Sequence, residues 1–253
     1  GLAARLAGVP LIIHEQNAVA RTANRLLSRI ANRICEAFPN TFAASDKRRT
    51  TGNPVRKEIS ATLTPSWRYQ EREKAGLPIR ILIVGGSLGA QALNECVPEA
   101  LKQLNVALDV YHQCGQNHAE ATQARYAHRP DHLQVKVQPF IEDMAKAYSD
   151  ADLIICRAGA LTVTEVATAG VAAVFVPLPS AVDDHQTANA KFLADLGAAK
   201  ICPQASMTPE SLTTLLTPLM NRQLLSEMAV KARQQAQPDA TQHVVRLIQA
   251  LFE

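Results

Sequence analysis

The sequence predicts an α/β fold built on a parallel sheet with helices on both faces. From residue 79 onward, short apolar runs with strand character alternate with helical patterns such as 90–103 and 187–196. This alternation indicates βαβ units, because parallel strands must be joined by a crossover connection, which is usually a helix. The predicted strands are 79–84, 108–112, 134–137, 153–156, 173–176 and 199–202. The chain ends in three further helical patterns, at 209–220, 224–237 and 240–252.

The composition is that of an ordinary globular protein. The 253 residues are 47% hydrophobic and 19% charged, which is enough apolar material for one large or two modest cores. The net charge of +3 is too small to indicate nucleic acid as a partner. The five cysteines are scattered without a C-x-x-C pair, so the sequence indicates neither a zinc site nor a disulfide framework and fits a reducing cytosol.

The N-terminal part of the chain also alternates, with a helix at 1–7 and strands at 11–13 and 35–38. Four polar residues, from His14 to Asn17, follow the first strand directly. Ligands bind at the carboxyl ends of strands in open α/β sheets. This segment is therefore either a ligand-binding loop or an ordinary solvated loop.

Residues 18–34 have a helical pattern in which an arginine recurs at every fourth position, at Arg21, Arg25, Arg29 and Arg33. Such a helix could rest on anionic lipid headgroups. A solvated cationic face whose apolar side packs on the core gives the same pattern and is favoured. Farther on, a turn at 52–56 ends in Arg56, and residues 61–78, with their prolines, charges and Trp67, are predicted to form a linker near a domain boundary.

Two turns rich in glycine and alanine lie between a predicted strand and a predicted helix. The first, 85–90, contains Ser87, and the second, 157–162, opens a segment with a Thr162-x-x-Glu165 pattern. Small residues let a phosphate approach the backbone, and the free N–H groups and dipole of a helix N-terminus favour an anion. A nucleotide diphosphate is therefore the leading candidate ligand. The alternative is that Thr162 and Glu165 only form a capping box around a buried turn.

A third junction, 182–189, carries side-chain amides. Gln186 and Asn189 are three residues apart and share one face of the predicted helix. Amides both donate and accept hydrogen bonds, which suits sugar hydroxyls, although a polar surface face has the same pattern. Asp183 and Asp184 are interpreted as cap and dipole partners of this helix rather than as a metal-binding pair.

These motifs occur in the order found in one known family; they lie at 14–17, 52–56, 85–90, 157–165 and 186–189. Together they resemble the MurG family of peptidoglycan N-acetylglucosaminyltransferases, and the resemblance extends from Gly1 to Glu253. It implies the GT-B arrangement, in which two Rossmann-like domains hold the donor in the cleft between them. For this chain it implies a remnant of the N-terminal, acceptor-side domain at 1–55, a complete C-terminal UDP-sugar-binding domain at 56–239, and a C-terminal helix at 240–253 that packs back on the N-terminal domain.

The resemblance also implies an activity. The family moves GlcNAc from UDP-GlcNAc to lipid I, with inversion at the anomeric carbon, and so forms lipid II of the cell wall. The implied partners are the UDP-GlcNAc donor, the lipid I acceptor and an anionic membrane surface. The implied location is peripheral, on the cytoplasmic face of the bacterial inner membrane, and no cofactor, metal or nucleic acid is implied.

The family's donor contacts transfer residue by residue to this sequence. Arg56 and Ser87 are expected beside the diphosphate, and Glu165 is expected to hold the ribose hydroxyls. The backbone of Ile141 is expected to meet the uracil, Gln186 and Asn189 the GlcNAc hydroxyls, and Asn17 the donor from the other domain. The full set of expected donor-binding residues is Asn17, Arg56, Ser87, Ile141, Ala160, Leu161, Thr162, Val163, Thr164, Glu165, Gln186 and Asn189.

The sequence departs from the family in two respects. It lacks the Gly-x-Gly-Gly-His loop that supplies the family's expected catalytic base, so the chain is expected to be an N-terminally truncated member that is inactive on its own. His14 and Glu15 are the candidates for a substitute base. Asp184 and His185 replace the family's Arg and Gln. The alternatives are another GT-B enzyme, such as a glycolipid glycosyltransferase or a UDP-GlcNAc 2-epimerase, and a non-catalytic UDP-sugar-binding fragment.

Overall fold

The structure, a computed structural model, describes residues 1–86, 88–179 and 184–252. Its strands form two parallel sheets, as the alternating pattern predicts. The small sheet has the order β1-β2-β3, with β1 at Ile12–Glu15, β2 at Arg33–Glu36 and β3 at Arg48–Thr50. The large sheet has the order β6-β5-β4-β7-β8-β9; its strands are β4 (Ile79–Val84), β5 (Leu108–Gln113), β6 (Leu133–Gln138), β7 (Leu153–Cys156), β8 (Ala172–Phe175) and β9 (Ala199–Ile201).

Helices connect the strands and close the chain. They are α1 (Leu2–Leu6), α2 (Thr22–Leu27), α3 (Lys57–Ser60), α4 (Pro65–Lys74), α5 (Gln91–Lys102), α6 (Ala119–Arg125), α7 (Met144–Asp150), α8 (Ala160–Ala169), α9 (His185–Ala194), α10 (Pro209–Leu216), α11 (Arg222–Arg233) and α12 (Ala240–Gln249). Two short 3₁₀ segments, Gln204–Ser206 and Thr217–Leu219, precede and follow α10.

The large sheet separates two apolar layers. Successive strand residues point to opposite faces, so Ile81 and Ile83 of β4 pack with α5, α10 and α11, whereas Leu82 between them packs with α8 and α9. β7 and β8 are buried on both faces, which is why they are continuous apolar runs, whereas β5 and β6, on one side of the sheet, contain polar residues. Phe38, which follows β2, belongs to the second layer and meets Phe192 of α9 edge-on, with ring centroids 4.9 Å apart. The two sheets are therefore joined by apolar packing.

The helix predicted at 18–34 is wrong. Only α2, of six residues, is helical there, and the chain has already begun β2 at Arg33. The helix ends early because Asn32 turns the chain back onto β1: its side chain accepts from the backbone N–H of Leu11, and its own N–H donates to the Leu11 carbonyl. The four arginines therefore do not share one helix face.

The linker predicted at 61–78 is also wrong, because it contains α4. Pro65 occupies the first turn of this helix, a position at which proline is favoured. Arg68 and Arg72 are buried, with Arg68 only 3% exposed. The Arg68 guanidinium donates to carbonyls at the C-terminal ends of α7 and α8, at Tyr148, Ser149, Ala169 and Gly170. Hydrogen bonds to these carbonyls stabilise buried charged residues that the local sequence alone would predict to be exposed to solvent.

Candidate functional site

The expected site lies where the order of the large sheet reverses. The chain proceeds from β4 outward to β6 and returns to the other side of β4 as β7. In open α/β sheets, the crevice outside the carboxyl ends of two such strands is the usual ligand site. The turns that follow β4 and β7 are the two glycine-rich segments of the sequence. Ser87 and Asp183, which were named from the sequence, lie outside the described residues.

The turn after β7 leads directly into α8. The alternative interpretation, in which Thr162 and Glu165 only form a capping box, is wrong, because α8 begins at Ala160 with Gly159 as its N-cap. Within the described residues, no side chain accepts a hydrogen bond as the cap of this helix. The N–H groups of the first turn are therefore not taken by a cap side chain and can serve an anion.

The residues of α8 that were expected to contact the donor differ in exposure. Leu161 is 48% exposed, whereas Val163 is fully buried in the core and can offer a ligand only its backbone. Thr164 is 7% exposed; its hydroxyl donates to the Ala160 carbonyl and accepts from the buried Asn53 side chain. Thr164 therefore connects α8 to the 52–56 turn.

Arg56 and Glu165, expected at neighbouring parts of the donor, form an ion pair. Arg56 Nη2 donates to Glu165 Oε1 at 3.2 Å, and the two side chains are 53% and 20% exposed. A third residue, Tyr148 of α7, donates from its hydroxyl to Glu165 Oε2 at 3.1 Å. Tyr148 belongs to no motif in the sequence, and the surrounding pattern gives no signal that its hydroxyl reaches α8.

Tyr148 remains a hydrogen-bond donor under all ordinary conditions. It is 1% exposed. This burial, together with the nearby carboxylate of Glu165, raises the pKa of Tyr148 well above its usual value of 10. The carboxylate of Glu165 thus has a neutral, fixed donor on one oxygen and an exposed cation on the other.

The two amides of α9 hold the backbone of the turn after β7. Gln186 Oε1 accepts from the backbone N–H groups of Ala158 at 3.2 Å and Leu178 at 2.9 Å. Asn189 Nδ2 donates to the Ala158 carbonyl at 3.2 Å, so both amides form hydrogen bonds with the backbone of Ala158. Asp184 caps α9 by accepting from the N–H of Thr187, in agreement with its interpretation as a cap.

Asn189 also reaches the small sheet. Its Oδ1 accepts from the backbone N–H of Ala18 at 2.8 Å, and its Nδ2 lies 3.3 Å from Asn17 Oδ1. The side chain is fully buried. A sugar hydroxyl could bind Asn189 only by displacing one of these partners, so the structure gives it a connecting role that its spacing to Gln186 did not indicate.

Glu15 organises the loop that carries Asn17. Its carboxylate accepts from the backbone N–H groups of Asn17 and Arg21, both at 3.0 Å, and from the side chains of Asn17 and Asn24. Burial alone would raise the pKa of Glu15, but these hydrogen bonds outweigh it and lower the pKa below the usual 4.5. A buried carboxylate that is stabilised in its ionised form is a poor proton acceptor. The structure argues against Glu15 as a catalytic base.

His14, the other substitute base, is engaged at one nitrogen. Its Nε2 lies 3.0 Å from the carbonyl oxygen of Gly52. Because a carbonyl can only accept, Nε2 carries the proton of this hydrogen bond. The bond connects β1 to the 52–56 turn.

Ile141, expected beside the uracil, precedes α7 and is 3% exposed. It lines a groove of about 530 Å³ together with residues of β4, β5, β6 and α7. The floor of the groove includes Tyr111, with the Lys136 ammonium 4.8 Å from the centre of its ring. As the structure describes it, this groove is lined neither by Arg56 nor by Glu165.

Comparison with known proteins agrees with this architecture. Residues 80–244 match the model of the glycosyltransferase family 28 C-terminal domain. The chain belongs to glycosyltransferase family 28. The match contains Glu165, Gln186 and Asn189, whereas Asn17 and Arg56 precede it.

Close relatives of this family 28 chain are similar over nearly its whole length. The UDP-N-acetylglucosamine--N-acetylmuramyl-(pentapeptide) pyrophosphoryl-undecaprenol N-acetylglucosamine transferase of Acinetobacter baylyi is 73% identical over 99% of this chain and 69% of its own length. The enzyme of the same name from Acinetobacter baumannii strain AYE is 74% identical over the same shares. The crystal structure of Acinetobacter baumannii MurG has a TM-score of 0.90 and 70% identity, covering 98% of this chain and 69% of that one.

The family 28 chain therefore has the GT-B fold, and the resemblance to MurG predicted from its motifs is confirmed. A putative UDP-N-acetylglucosamine 2-epimerase from Listeria monocytogenes also superposes, with a TM-score of 0.65, over 99% of this chain and 70% of that one. At 16% identity, this likeness shows a shared fold alone.

Proposed function

We propose that this chain carries the donor-binding part of an inverting transferase that moves GlcNAc from UDP-GlcNAc to lipid I and so forms lipid II. One observation carries the proposal: Arg56, just before α3, lies 3.2 Å from Glu165, on the helix α8 whose N-terminus follows β7. The relatives that are 73% and 74% identical, named for this transfer, support the choice of donor and acceptor.

The charges of the pair suit two adjacent parts of a nucleotide. The first-turn N–H groups of α8 and the exposed Arg56 guanidinium favour the diphosphate. A carboxylate beside a diphosphate would be repelled. Glu165 suits the ribose instead, because its oxygens can accept hydrogen bonds from the ribose hydroxyls. Ribose and diphosphate are directly bonded in UDP, and the contact between Arg56 and Glu165 matches that proximity.

The same groups would assist the reaction. In an inverting transfer the muramoyl hydroxyl attacks the anomeric carbon, and UDP leaves from the opposite side. Negative charge grows on the departing diphosphate, so Arg56, Ser87 and the α8 N-terminus would stabilise the transition state more than the bound donor. These groups take the part of a metal ion, and the proposal requires no cofactor. It assigns no proton acceptor to this chain.

An undecaprenyl acceptor requires access to a membrane, so the proposal includes peripheral association with the cytoplasmic face of the bacterial inner membrane. Arg21, Arg25 and Arg29, in and around α2, are exposed and would favour anionic headgroups, and Leu26 between them is 57% exposed. In the part of the chain that the structure describes, no helix has both the length and the apolar character needed to cross a membrane.

Calorimetric titration of the chain with UDP-GlcNAc tests the donor assignment, with UDP-glucose and UDP-galactose as comparators. We expect selective binding of UDP-GlcNAc, lost in Glu165→Ala and retained in Glu227→Ala, which removes an exposed carboxylate on α11. Stronger binding of UDP-glucose or UDP-galactose would favour another GT-B enzyme. A folded chain that binds none of the three would refute the proposal, and binding without turnover would assign this chain to donor binding alone.

A further inference from the structure

The hydrogen bond from Tyr148 to Glu165 has no counterpart in the sequence motifs. It joins α7, which follows the expected uracil contact at Ile141, to α8, which begins at the expected phosphate site. The bond therefore spans the interval between the expected base and phosphate sites, where a ribose would lie.

We propose that Tyr148 is a positioning residue that orients the Glu165 carboxylate toward the ribose and thereby sets the preference of this site for ribonucleotides over 2′-deoxyribonucleotides. The proposal rests on the donor site proposed above. Tyr148 acts through Glu165 and is not itself expected to touch the donor, because the tyrosine is 1% exposed whereas the glutamate side chain is 20% exposed.

The two partners of Glu165 compete for its orientation. Arg56 is a long, 53% exposed side chain and contacts Oε1 only. Guanidinium and carboxylate groups prefer a two-point contact that engages both oxygens. Tyr148 prevents this arrangement by holding Oε2 at 3.1 Å. Without the phenol hydroxyl, the carboxylate is free to rotate and to pair with Arg56 through both oxygens. Two vicinal ribose hydroxyls need those same oxygens as acceptors, so the ion pair would compete with the ribose.

The hydrogen bond from Tyr148 leaves enough acceptor positions on the Glu165 carboxylate for the ribose. An ionised carboxylate has about four acceptor positions on its two oxygens. The phenol hydroxyl uses one of them and the guanidinium another. Two positions remain for the 2′- and 3′-hydroxyls, so the observed contacts can coexist with a bound ribose.

The position of Tyr148 is fixed from both ends of its short helix. At the N-terminus of α7, Asp143 Oδ1 accepts from the backbone N–H of Lys146 at 2.8 Å. At the C-terminus, Arg68 Nη1 donates to the carbonyls of Tyr148 at 3.2 Å and Ser149 at 2.9 Å. Arg68 Nη2 donates at 2.7 Å to the last carbonyls of α8 as well. One guanidinium thus fixes the distance between the helices that carry Tyr148 and Glu165.

Calorimetric titration with UDP and 2′-deoxy-UDP tests the proposal. The unsubstituted chain should bind UDP more tightly, because the deoxy ligand lacks one hydroxyl for Glu165. Tyr148→Phe should weaken UDP binding about tenfold and deoxy-UDP binding much less, so that the preference for ribose falls. Glu165→Ala should abolish the preference, and adding Tyr148→Phe to it should change nothing further.

Two further variants separate positioning from a general loss of packing. Tyr69→Phe removes another buried phenol hydroxyl, which donates to the Asp152 carbonyl at 2.6 Å, and should leave the ratio of the two affinities unchanged. Adding Arg56→Gln to Tyr148→Phe removes the competing cation and should restore the ratio, even though overall affinity falls. A structural defect would not be corrected by a second substitution of this kind.

The outcomes distinguish a failure of the role proposed for Tyr148 from a failure of the proposed donor site. If Glu165→Ala abolishes the preference for ribose but Tyr148→Phe preserves it, the role of Tyr148 is refuted and the donor site stands. If the unsubstituted chain binds both ligands equally, or Glu165→Ala retains the preference, the ribose contact and the role of Tyr148 are both refuted.

Discussion

Asn189 of α9 accepts a 2.8 Å hydrogen bond from the backbone of Ala18, a residue 171 positions earlier in the chain. The same amide donates to the Ala158 carbonyl, at the turn that begins α8. One buried side chain therefore connects the loop after β1 to the expected phosphate site, across the boundary between the two sheets.

Asn189→Ala should lower the free energy of unfolding by about 2–4 kcal/mol, because it removes the hydrogen-bond partner of the half-buried Ala18 N–H and of the buried Ala158 carbonyl. Urea denaturation measures the change. Gln223→Ala is the matched control, since that exposed amide donates to Glu227 on the same helix face, and it should change stability by less than about 0.5 kcal/mol. Equal effects of the two substitutions would show that the inter-sheet contact contributes nothing.

Gly89 should tolerate no side chain. Its φ of +78° lies in the left-handed region, and a Cβ there would overlap the carbonyl oxygen of Cys114. Gly89→Ala should cost about 3 kcal/mol or more, from backbone strain and overpacking together, and should weaken UDP binding. Gly76→Ala separates the two causes: its φ is +60°, but an added Cβ has no described atom within 4 Å, so we expect a cost of only about 1 kcal/mol. A smaller loss of stability in Gly89→Ala than in Gly76→Ala would contradict this account.

Glu15 should make the stability of the fold depend on pH. Its pKa in the folded chain lies below 4.5, because hydrogen bonds to the ionised form outweigh burial. The carboxylate therefore stabilises the fold above that value, and the contribution is lost as the pH falls through the lowered folded pKa.

Glu15→Gln, compared by urea denaturation at pH 7 and about pH 3, should be less stable than the unsubstituted chain at pH 7, and this difference should be smaller in acid. Glu227→Gln, at an exposed position, should leave the difference between the two pH values unchanged. A stability difference between Glu15→Gln and the unsubstituted chain that is the same at both pH values would rule out the ionised state as its source.

Hydrogen exchange should divide the chain into a fast N-terminal part and a slow large sheet. No residue of α1, which the structure describes in full, is buried, and Leu6 is 81% exposed. The core of the small sheet consists of Ile13, Ala31 and Ile34, with a few half-buried neighbours. We expect rapid exchange in α1 and slow exchange in β7, whose residues are all buried. Uniformly slow exchange across residues 1–55 would contradict this expectation.

The strands that sequence located best are those buried on both faces. The observed bounds of β4 and β7 are the predicted 79–84 and 153–156, because β7 is an uninterrupted apolar run and β4 is apolar apart from Arg80. β3, at Arg48–Thr50, has no such signal. Its polar residues are held by the buried Glu36, which accepts from Thr50 at 2.8 Å and lies 3.6 Å from Arg48. No local pattern reveals a partner that lies on another strand.

The sequence likewise predicts some residues of the candidate site and not others. Arg56 and Glu165 could be named from motifs, and the structure brings them into contact. The start of α8 was misplaced, because Thr162 and Glu165 have the spacing of a capping box although Gly159 provides the cap. Tyr148 was missed, since a hydroxyl acquires its partner only when α7 and α8 pack together. Motifs thus identify ligand-facing groups better than the groups that orient them.

The contacts of Arg68 limit where the segment 61–78, predicted as a linker, can be cut when domains are exchanged. A chimaera that joins a foreign N-terminal half to this donor domain would naturally be cut between residues 61 and 78, where the sequence looks dispensable. A cut after Arg68 would remove the guanidinium that donates to the ends of both α7 and α8. The transplanted domain would keep every motif residue that follows the cut, yet its two site helices would be free to shift relative to one another. Functional grafts of this fold should therefore begin before Pro65, with α4 carried over as part of the donor domain.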